Sequence, residues 1–353
     1  MHILGIANGT PNGNSEVLLK AALSAAVEYN SSTTVSWIHA PSVSIPRNPK
    51  PLEGTQDVSQ GANEAFVSGK PTENVPDDRR AILNAILDAD ALIFATPVYS
   101  HAPAGFLKAM VDRILGPFTD VVFATMMLKA KEAGDPRYKD ATVDPRLIKP
   151  RVVGFLAIGG STTPDQFTLA LPTLHLMVYP LHAKVVDQVV IMGCGSPGLA
   201  AIKDGGAVVE RAQLLGRNVA SQMGKSYDEA QYLGAAPPGA CPYCHLAKIE
   251  LFDIATGAIG CNTCGALGKL IVGEDGALRP MWDMDCTVSS LTWKGKERHI
   301  EDLKTIGAKE MKDIRADEDF EGKRQRWKDV EVKLVELPSQ QPGTNNTIRV
   351  LKL

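Results

Sequence analysis

Four of the six cysteines fall in two C-x-x-C pairs, Cys241/Cys244 and Cys261/Cys264, with sixteen residues between the pairs. That spacing belongs to a zinc site, in which four thiolates close a tetrahedral ion and leave no position for water or substrate. Between and beyond the knuckles, Lys248 to Ile254, Gly265 to Val272 and Ala277 to Trp282 alternate like strands around the turns at Thr256-Gly257 and Glu274-Asp275-Gly276. The pattern is that of a zinc ribbon over residues 241–290. Its expected apolar core is Leu251, Phe252, Ile254, Ile259, Leu267, Leu270 and Ile271. Cys194 and Cys286 stand outside the pairs and suit ordinary buried thiols.

A second group of residues suits a phosphate. Gly9-Thr-Pro-Asn-Gly-Asn-Ser15 offers small residues that let backbone N–H groups approach, hydroxyls at Thr10 and Ser15, and the positive end of a following helix. It lacks the G-x-G-x-x-G and G-x-x-x-x-G-K-[ST] patterns, which removes the main support for a dinucleotide or nucleoside-triphosphate loop. An ordinary strand-to-helix turn with Ser15 as its cap explains the same residues.

These groups need a scaffold, and the hydrophobic periodicity supplies one. Residues 2–7, 33–38, 91–95, 152–158 and 184–192 read as strands; residues 15–29, 77–89, 103–115, 164–178 and 199–223 read as helices. Five alternations predict a five-stranded parallel sheet covered on both faces, an α/β doubly wound domain over residues 1–233. Two insertions interrupt it, a proline-rich one at 39–76 and one at 116–150, both expected to act as lids or subunit contacts. The linker 234–240 leads to the ribbon, and residues 291–353 form a charged extension. In residues 294–333, 12 basic and 11 acidic side chains predict a solvated helix. Residues 347–353 alternate like a strand.

The segment Thr96-Pro-Val-Tyr-Ser-His-Ala-Pro-Ala-Gly105, with Lys108, Asp112 and Arg113 beyond it, resembles the flavodoxin-like NAD(P)H-dependent FMN reductases and the relatives of iron-sulfur flavoproteins. In that family the first loop reads about G-S-P-R-x-x-G-N-[ST], and the third-strand loop reads P-V-Y before L-K-x-x-x-D-R. The resemblance covers residues 1 to about 223 and implies a flavodoxin-like fold. It also implies bound FMN, hydride supply from NAD(P)H, and a homodimer or homotetramer. Carried over, Thr10, Asn12, Asn14 and Ser15 would hold the FMN phosphate. Pro97, Val98, Tyr99 and Ser100 would frame the isoalloxazine edge, with Gly159, Gly160 and Ser161 closing the other side. Two departures stand out. Asn12 replaces the family's arginine, and residues 1–193 contain no cysteine, so the iron-sulfur cluster of those flavoproteins has no ligands here.

Flavin chemistry asks the protein for binding and orientation. Tyr99 and His101 are the polar side chains best placed to face a substrate, His101 as a proton donor because imidazole gives and takes protons near neutral pH. His175 and His182 read as structural, and Lys20 as an exposed bystander on the first helix. The sequence thus predicts an FMN-dependent oxidoreductase acting on a quinone, nitroaromatic or other small electron-poor aromatic. Alternatives are an electron-transfer flavoprotein with a rubredoxin-like iron site in place of zinc, and a non-enzymatic flavin-binding scaffold. A net charge of −3 gives no electrostatic reason for nucleic acid or an anionic membrane as partner, and the ribbon itself has three basic against six acidic residues. No apolar run approaches the roughly 20 residues of a membrane span, and Met1 leads straight into a strand, so a cytoplasmic location is expected.

Overall fold

The computed structural model describes residues 1–46, 76–116 and 119–332. Residues 1–300 form one compact unit, and a second unit begins at Glu301. The expected element at 347–353 and most of the first insertion lie outside the described residues.

Strands β1 (His2–Ala7), β2 (Thr34–His39), β3 (Ala91–Tyr99), β5 (Val152–Ile158) and β6 (Lys184–Ile191) make a parallel sheet in the order β2-β1-β3-β5-β6, with the two-residue strand β4 (Ala102–Pro103) folded back on β3. This is the flavodoxin-type doubly wound order, whose switch point lies between β1 and β3. The central strands have both faces covered, so they are continuous apolar runs: β5 is buried at all seven positions. Helices α1 (Asn14–Tyr29) and α6 (Ala207–Gln222) cover one face. On the other lie α2 (Arg79–Asp88), α3 (Gly105–Ile114), α4 (Val121–Glu132) and α5 (Ala170–Met177). Helices α1 and α6 meet so closely that a Cβ on Gly216 would stand 1.9 Å from the Ala22 carbonyl oxygen, which fixes glycine there. No helix among the described residues is long and apolar enough to cross a membrane.

The second insertion is not a free lid in its described part. Asp120 caps α4 by accepting from the Val122 and Phe123 amides, both at 2.9 Å. Val122, Ala124, Met127 and Leu147 are buried, so this segment is part of the folded unit.

The cysteine module contains an antiparallel sheet of β7 (Ile249–Asp253), β8 (Ala258–Cys261), β9 (Leu267–Val272) and β10 (Leu278–Trp282) in the order β10-β9-β8-β7. Its expected private core is absent: Leu251, Phe252, Ile254, Leu267 and Ile271 are exposed, and of the expected set only Ile259 is buried. The four cysteines are instead buried in the same apolar cluster as Phe155, Leu174 and Leu181 of the large domain. Polar contacts reinforce the joint. Gln188 on β6 donates to the Cys244 carbonyl at 2.8 Å and pairs through its Oε1 with His175 Nε2 at 2.8 Å, while Tyr232 stacks on His245 with ring centroids 3.8 Å apart. His175 is fully buried and His182 stacks on Tyr227, as expected of structural histidines.

Helix α7 (Trp293–Ala316) begins in the first unit, and α8 (Phe320–Lys328) follows in the second with every residue exposed or half-buried. Near the start of α7, Lys296 is buried, donates to the Tyr179 carbonyl and lies 4.4 Å from the centre of the Tyr179 ring. Burial pulls its ammonium down from 10.5 to about 8, with Asp120 opposing the shift. A lysine with a folded pKa below its unfolded one makes the unfolded chain the stronger proton binder between about 8 and 10.5. Stability must therefore rise with pH across that window and carry the full cost below it. Lys296→Met is expected to stabilise the protein at neutral pH by about 1–3 kcal/mol and to flatten the rise between pH 8 and 10.5, as checked by denaturant melts at several pH values.

Candidate active site

The carboxyl ends of β1, β3, β5 and β6 place four loops together, which is where the doubly wound fold positions a ligand. The first loop turns sharply because Gly9 sits at φ +117° and Asn12 at φ +56°. A Cβ on Gly9 would stand 3.2 Å from the Pro97 ring and 3.6 Å from Ser15 Oγ, so the β1 and β3 loops touch at this glycine. A Cβ on Gly13 would stand 2.7 Å from Thr10 Oγ1. Gly13 precedes α1 and provides no side-chain cap, so among the described residues the first amides of α1, at Asn14, Ser15 and Glu16, keep their donors free. Free donors at the positive end of a 16-residue helix, beside the buried Ser15 hydroxyl, fit a phosphate.

Not every loop residue is available in the way the family pattern implies. Asn14 spends its side chain on the neighbouring loop, donating to the Cys194 and Ser196 carbonyls at 3.0 and 2.9 Å and accepting from the Ala200 amide at 3.0 Å. It buttresses the first loop, and among the described residues its backbone amide is left without a partner. The Asn12 amide donates to Glu16 Oε2 at 2.8 Å, while the other Glu16 oxygen takes Lys20 Nζ at 2.6 Å. The Lys20 hydrogen bond, helped by the Asn12 amide, holds the Glu16 carboxyl below its usual range. Lys20 is therefore no bystander: it neutralises a carboxylate directly beside the phosphate-shaped loop.

Two residues that sequence reasoning passed over complete this end. His39, at the end of β2, accepts or donates through Nδ1 to Ser42 Oγ at 2.7 Å and meets the Gly9 carbonyl through Nε2 at 2.8 Å, so Nε2 carries the hydrogen. Asn8 is buried and donates to Thr96 Oγ1 and to the Ala104 carbonyl, locking the β1 and β3 loops. A histidine closing a strand and an asparagine just before a Gly-rich turn were the only signals for them.

The β3 loop is a tight hairpin in which Val98 pairs with Pro103 and Tyr99 with Ala102. Ser100 and His101 occupy its tip at φ +48° and +72°. Both central positions of this turn need positive φ, which side-chain-bearing residues adopt at a cost of about 1–3 kcal/mol each. The hairpin is held from the β5 loop: His101 Nδ1 lies 2.8 Å from the Asp165 carbonyl, and the Leu169 amide donates to the His101 carbonyl at 3.2 Å. A carbonyl only accepts, so Nδ1 carries the hydrogen and Nε2 is the nitrogen left with a lone pair. Tyr99 is 61% exposed, its ring presented to solvent at the mouth.

Gly159, Gly160 and Ser161 follow β5 and are tied to the β6 loop, the Cys194 amide donating to the Gly159 carbonyl and the Gly193 amide to the Ser161 carbonyl. Gly159 packs under Phe167, whose ring a Cβ would meet at 2.6 Å, and Gly160 lies against Gly195. Lys203, unforeseen in the sequence, places Nζ 3.4 Å from the Cβ position of Gly193, where it is paired with the Asp204 carboxylate at 3.3 Å. The structure thus gathers Thr10, Asn12, Asn14, Ser15, Pro97, Val98, Tyr99, Ser100, His101, Gly159, Gly160 and Ser161 on loops at one end of the sheet.

The metal-ligand set is also brought together. The Sγ atoms of Cys241, Cys244, Cys261 and Cys264 all lie within 4.8 Å of one another. Two of the separations are 3.6 and 3.4 Å. Metal–sulfur bonds of about 2.3 Å in a tetrahedron separate the sulfurs by about 3.8 Å, so the donor set fits one ion. Hydrogen bonding among the sulfurs pulls the Cys261 thiol down and pushes Cys244 up, as expected of four thiols that cannot all ionise without a cation.

Comparison with known proteins agrees with this geometry. The profile of the NADPH-dependent FMN reductases matches residues 1–144. The flavone synthase cfoJ of Aspergillus candidus is 36% identical over 308 residues, which covers 86% of this chain and 88% of that protein. A solved flavone reductase superposes with a TM-score of 0.70 at 25% identity, covering 96% of this chain and all of that one. The alignment with the synthase spans most of the chain, so the likeness is not confined to the first loop. The chain belongs to the NADPH-dependent FMN reductase family and is an oxidoreductase.

Proposed function

We propose that this protein binds FMN at the β1, β3 and β5 loops and moves a hydride from NAD(P)H to a planar aromatic ketone of the flavone type, reducing the carbon–carbon double bond conjugated to the carbonyl. The observation that carries this reading is the pair of full-length relatives named for making and for reducing a flavone. Quinones and nitroaromatics, equally flat and electron-poor, fit the same site as alternative acceptors.

FMN, when bound, supplies a carrier that takes a hydride from NAD(P)H and passes it on at N5. The chain's residues do the rest. Free amides at the start of α1 and the Ser15 hydroxyl hold the phosphate without an arginine. His39 and Asn8 fix the loop carbonyls so that no reorganisation is needed on binding. The exposed Tyr99 ring offers a stacking wall for a flat acceptor. His101, its Nδ1–H held by the Asp165 carbonyl, presents the Nε2 lone pair, which takes a proton from solvent and passes it to the substrate. The net change is NAD(P)H, one proton and the conjugated double bond giving NAD(P)⁺ and the saturated ketone, with hydride on the carbon remote from the carbonyl and the proton on the adjacent one.

Zinc at the four cysteines, with iron as the alternative, would be saturated by thiolates and so structural. Assembly into a homodimer or homotetramer belongs to the same proposal, supported by exposed Phe106, Leu169 and Leu176 on segments adjoining the hairpin. The test is product analysis with NADPH and flavone in heavy water. The expected product is the dihydro compound with one deuterium beside the carbonyl, formed more slowly by His101→Phe. Turnover of menadione or a nitroaromatic with none of flavone would overturn the flavone assignment.

A further inference from the structure

Beyond the residues assigned to the cofactor, the far part of the β5 loop, the end of β6 and the metal knuckle enclose a cleft of about 170 Å³ that opens to solvent. Phe167, Leu171, Val190 and Met192 line it from the large domain, and Leu246 and Lys248 from the ribbon. Two prolines, Pro164 and Pro172, complete walls that are almost wholly apolar. The ribbon's contribution is fixed by the knuckle, because the Cys241 amide donates to the Leu246 carbonyl at 3.0 Å. Lys248 is half-buried, and among the described residues its ammonium has no carboxylate or carbonyl partner. A cation standing unpaired at the rim of an apolar cleft, its methylene stem forming part of the wall, is arranged to meet an anion attached to an apolar body.

We propose that this cleft binds a flat aromatic acid of one or two rings, the ring between Phe167 and the prolines and its carboxylate or phenolate on Lys248, with the metal ribbon serving as the outer wall. The size argues for that class. Sites for drug-sized ligands run to about 300–1,000 Å³, so this cleft suits a mono- or bicyclic ring. Flat walls of phenylalanine and proline favour a planar occupant over a branched aliphatic one, and the single charge selects an acid over a neutral ring. The reading does not depend on the flavin chemistry proposed above, since no residue of the cleft is assigned to cofactor or acceptor. It gives the ribbon a purpose beyond folding.

Calorimetric titration of the FMN-loaded full chain with naphthoate and with its uncharged methyl ester tests it. The expected result is saturable binding of one naphthoate, weakened about tenfold by Lys248→Met. The ester's affinity should change less than about twofold in the same variant, because the stem is kept and only the charge is lost. Val190→Trp, which fills the cleft, should abolish binding of both, with flavin content and circular dichroism showing that each variant is folded. No saturable naphthoate binding to the wild type, or an affinity that neither variant alters, would overturn the proposal. Failure of flavone reduction would leave these titrations unchanged, so the two proposals fail separately.

Discussion

Replacing Cys261 by serine is expected to lower the melting temperature of the whole 1–300 unit by about 10 °C, and chelation of the metal is expected to do at least as much. The module has little core of its own, since the outer faces of β7 and β9 are in water. Its cysteines instead complete the cluster that contains Phe155 and Leu174, and Gln188 reaches from β6 to the Cys244 carbonyl. Loss of a structural metal ligand belongs to the few single changes that cost about 4 kcal/mol or more. At about 2–4 °C per kcal/mol for a domain of this size class, that is a shift of about 10 °C. A ribbon with the private core that its sequence pattern suggests would instead unfold locally over residues 241–290 and leave the large domain intact. Calorimetry distinguishes the two: a single transition moved downward is expected here, whereas an unshifted main transition with a small early one would restore the independent module.

The second large effect is on FMN. Ser15→Asp is expected to weaken FMN binding at least about a hundredfold, because two unit charges 4 Å apart near a protein surface interact by about 4 kcal/mol. The same substitution at Ser24, exposed further along α1 with its hydroxyl on Glu28, is expected to change binding little. Lys20→Ala should fall between them, since it leaves the Glu16 carboxylate uncompensated beside the loop. Equilibrium dialysis or flavin fluorescence measures all three. Equal affinities for the Ser15 and Ser24 variants would remove the phosphate from this loop.

The scaffold was legible because its signals are local. β-branched and apolar runs at 91–95 and 152–158 have no stable home except a sheet buried on both faces, and they form β3 and β5. The metal-ligand spacing was equally legible, since two knuckles constrain geometry within a few residues of each cysteine. What the sequence hid was long-range. Lys20 looks like any exposed helical lysine until Glu16 is seen holding the Asn12 amide. Asn14 reads as a loop ligand until its partners 180 residues away appear. The ribbon's apolar residues alternate as a self-contained core would, yet the face that is buried belongs to the cysteines, because the large domain supplies the other half of that core. His39 and Lys203 lack any motif, and only the sheet order places them at the loops.

On the proposed function, bound FMN is reduced by a nicotinamide. Anaerobic mixing of the FMN-reconstituted protein with NADPH tests it most directly. The oxidised flavin's visible absorbance is expected to disappear within the mixing experiment and to return on addition of flavone. A protein that retains FMN but shows no bleaching with either NADPH or NADH would contradict it.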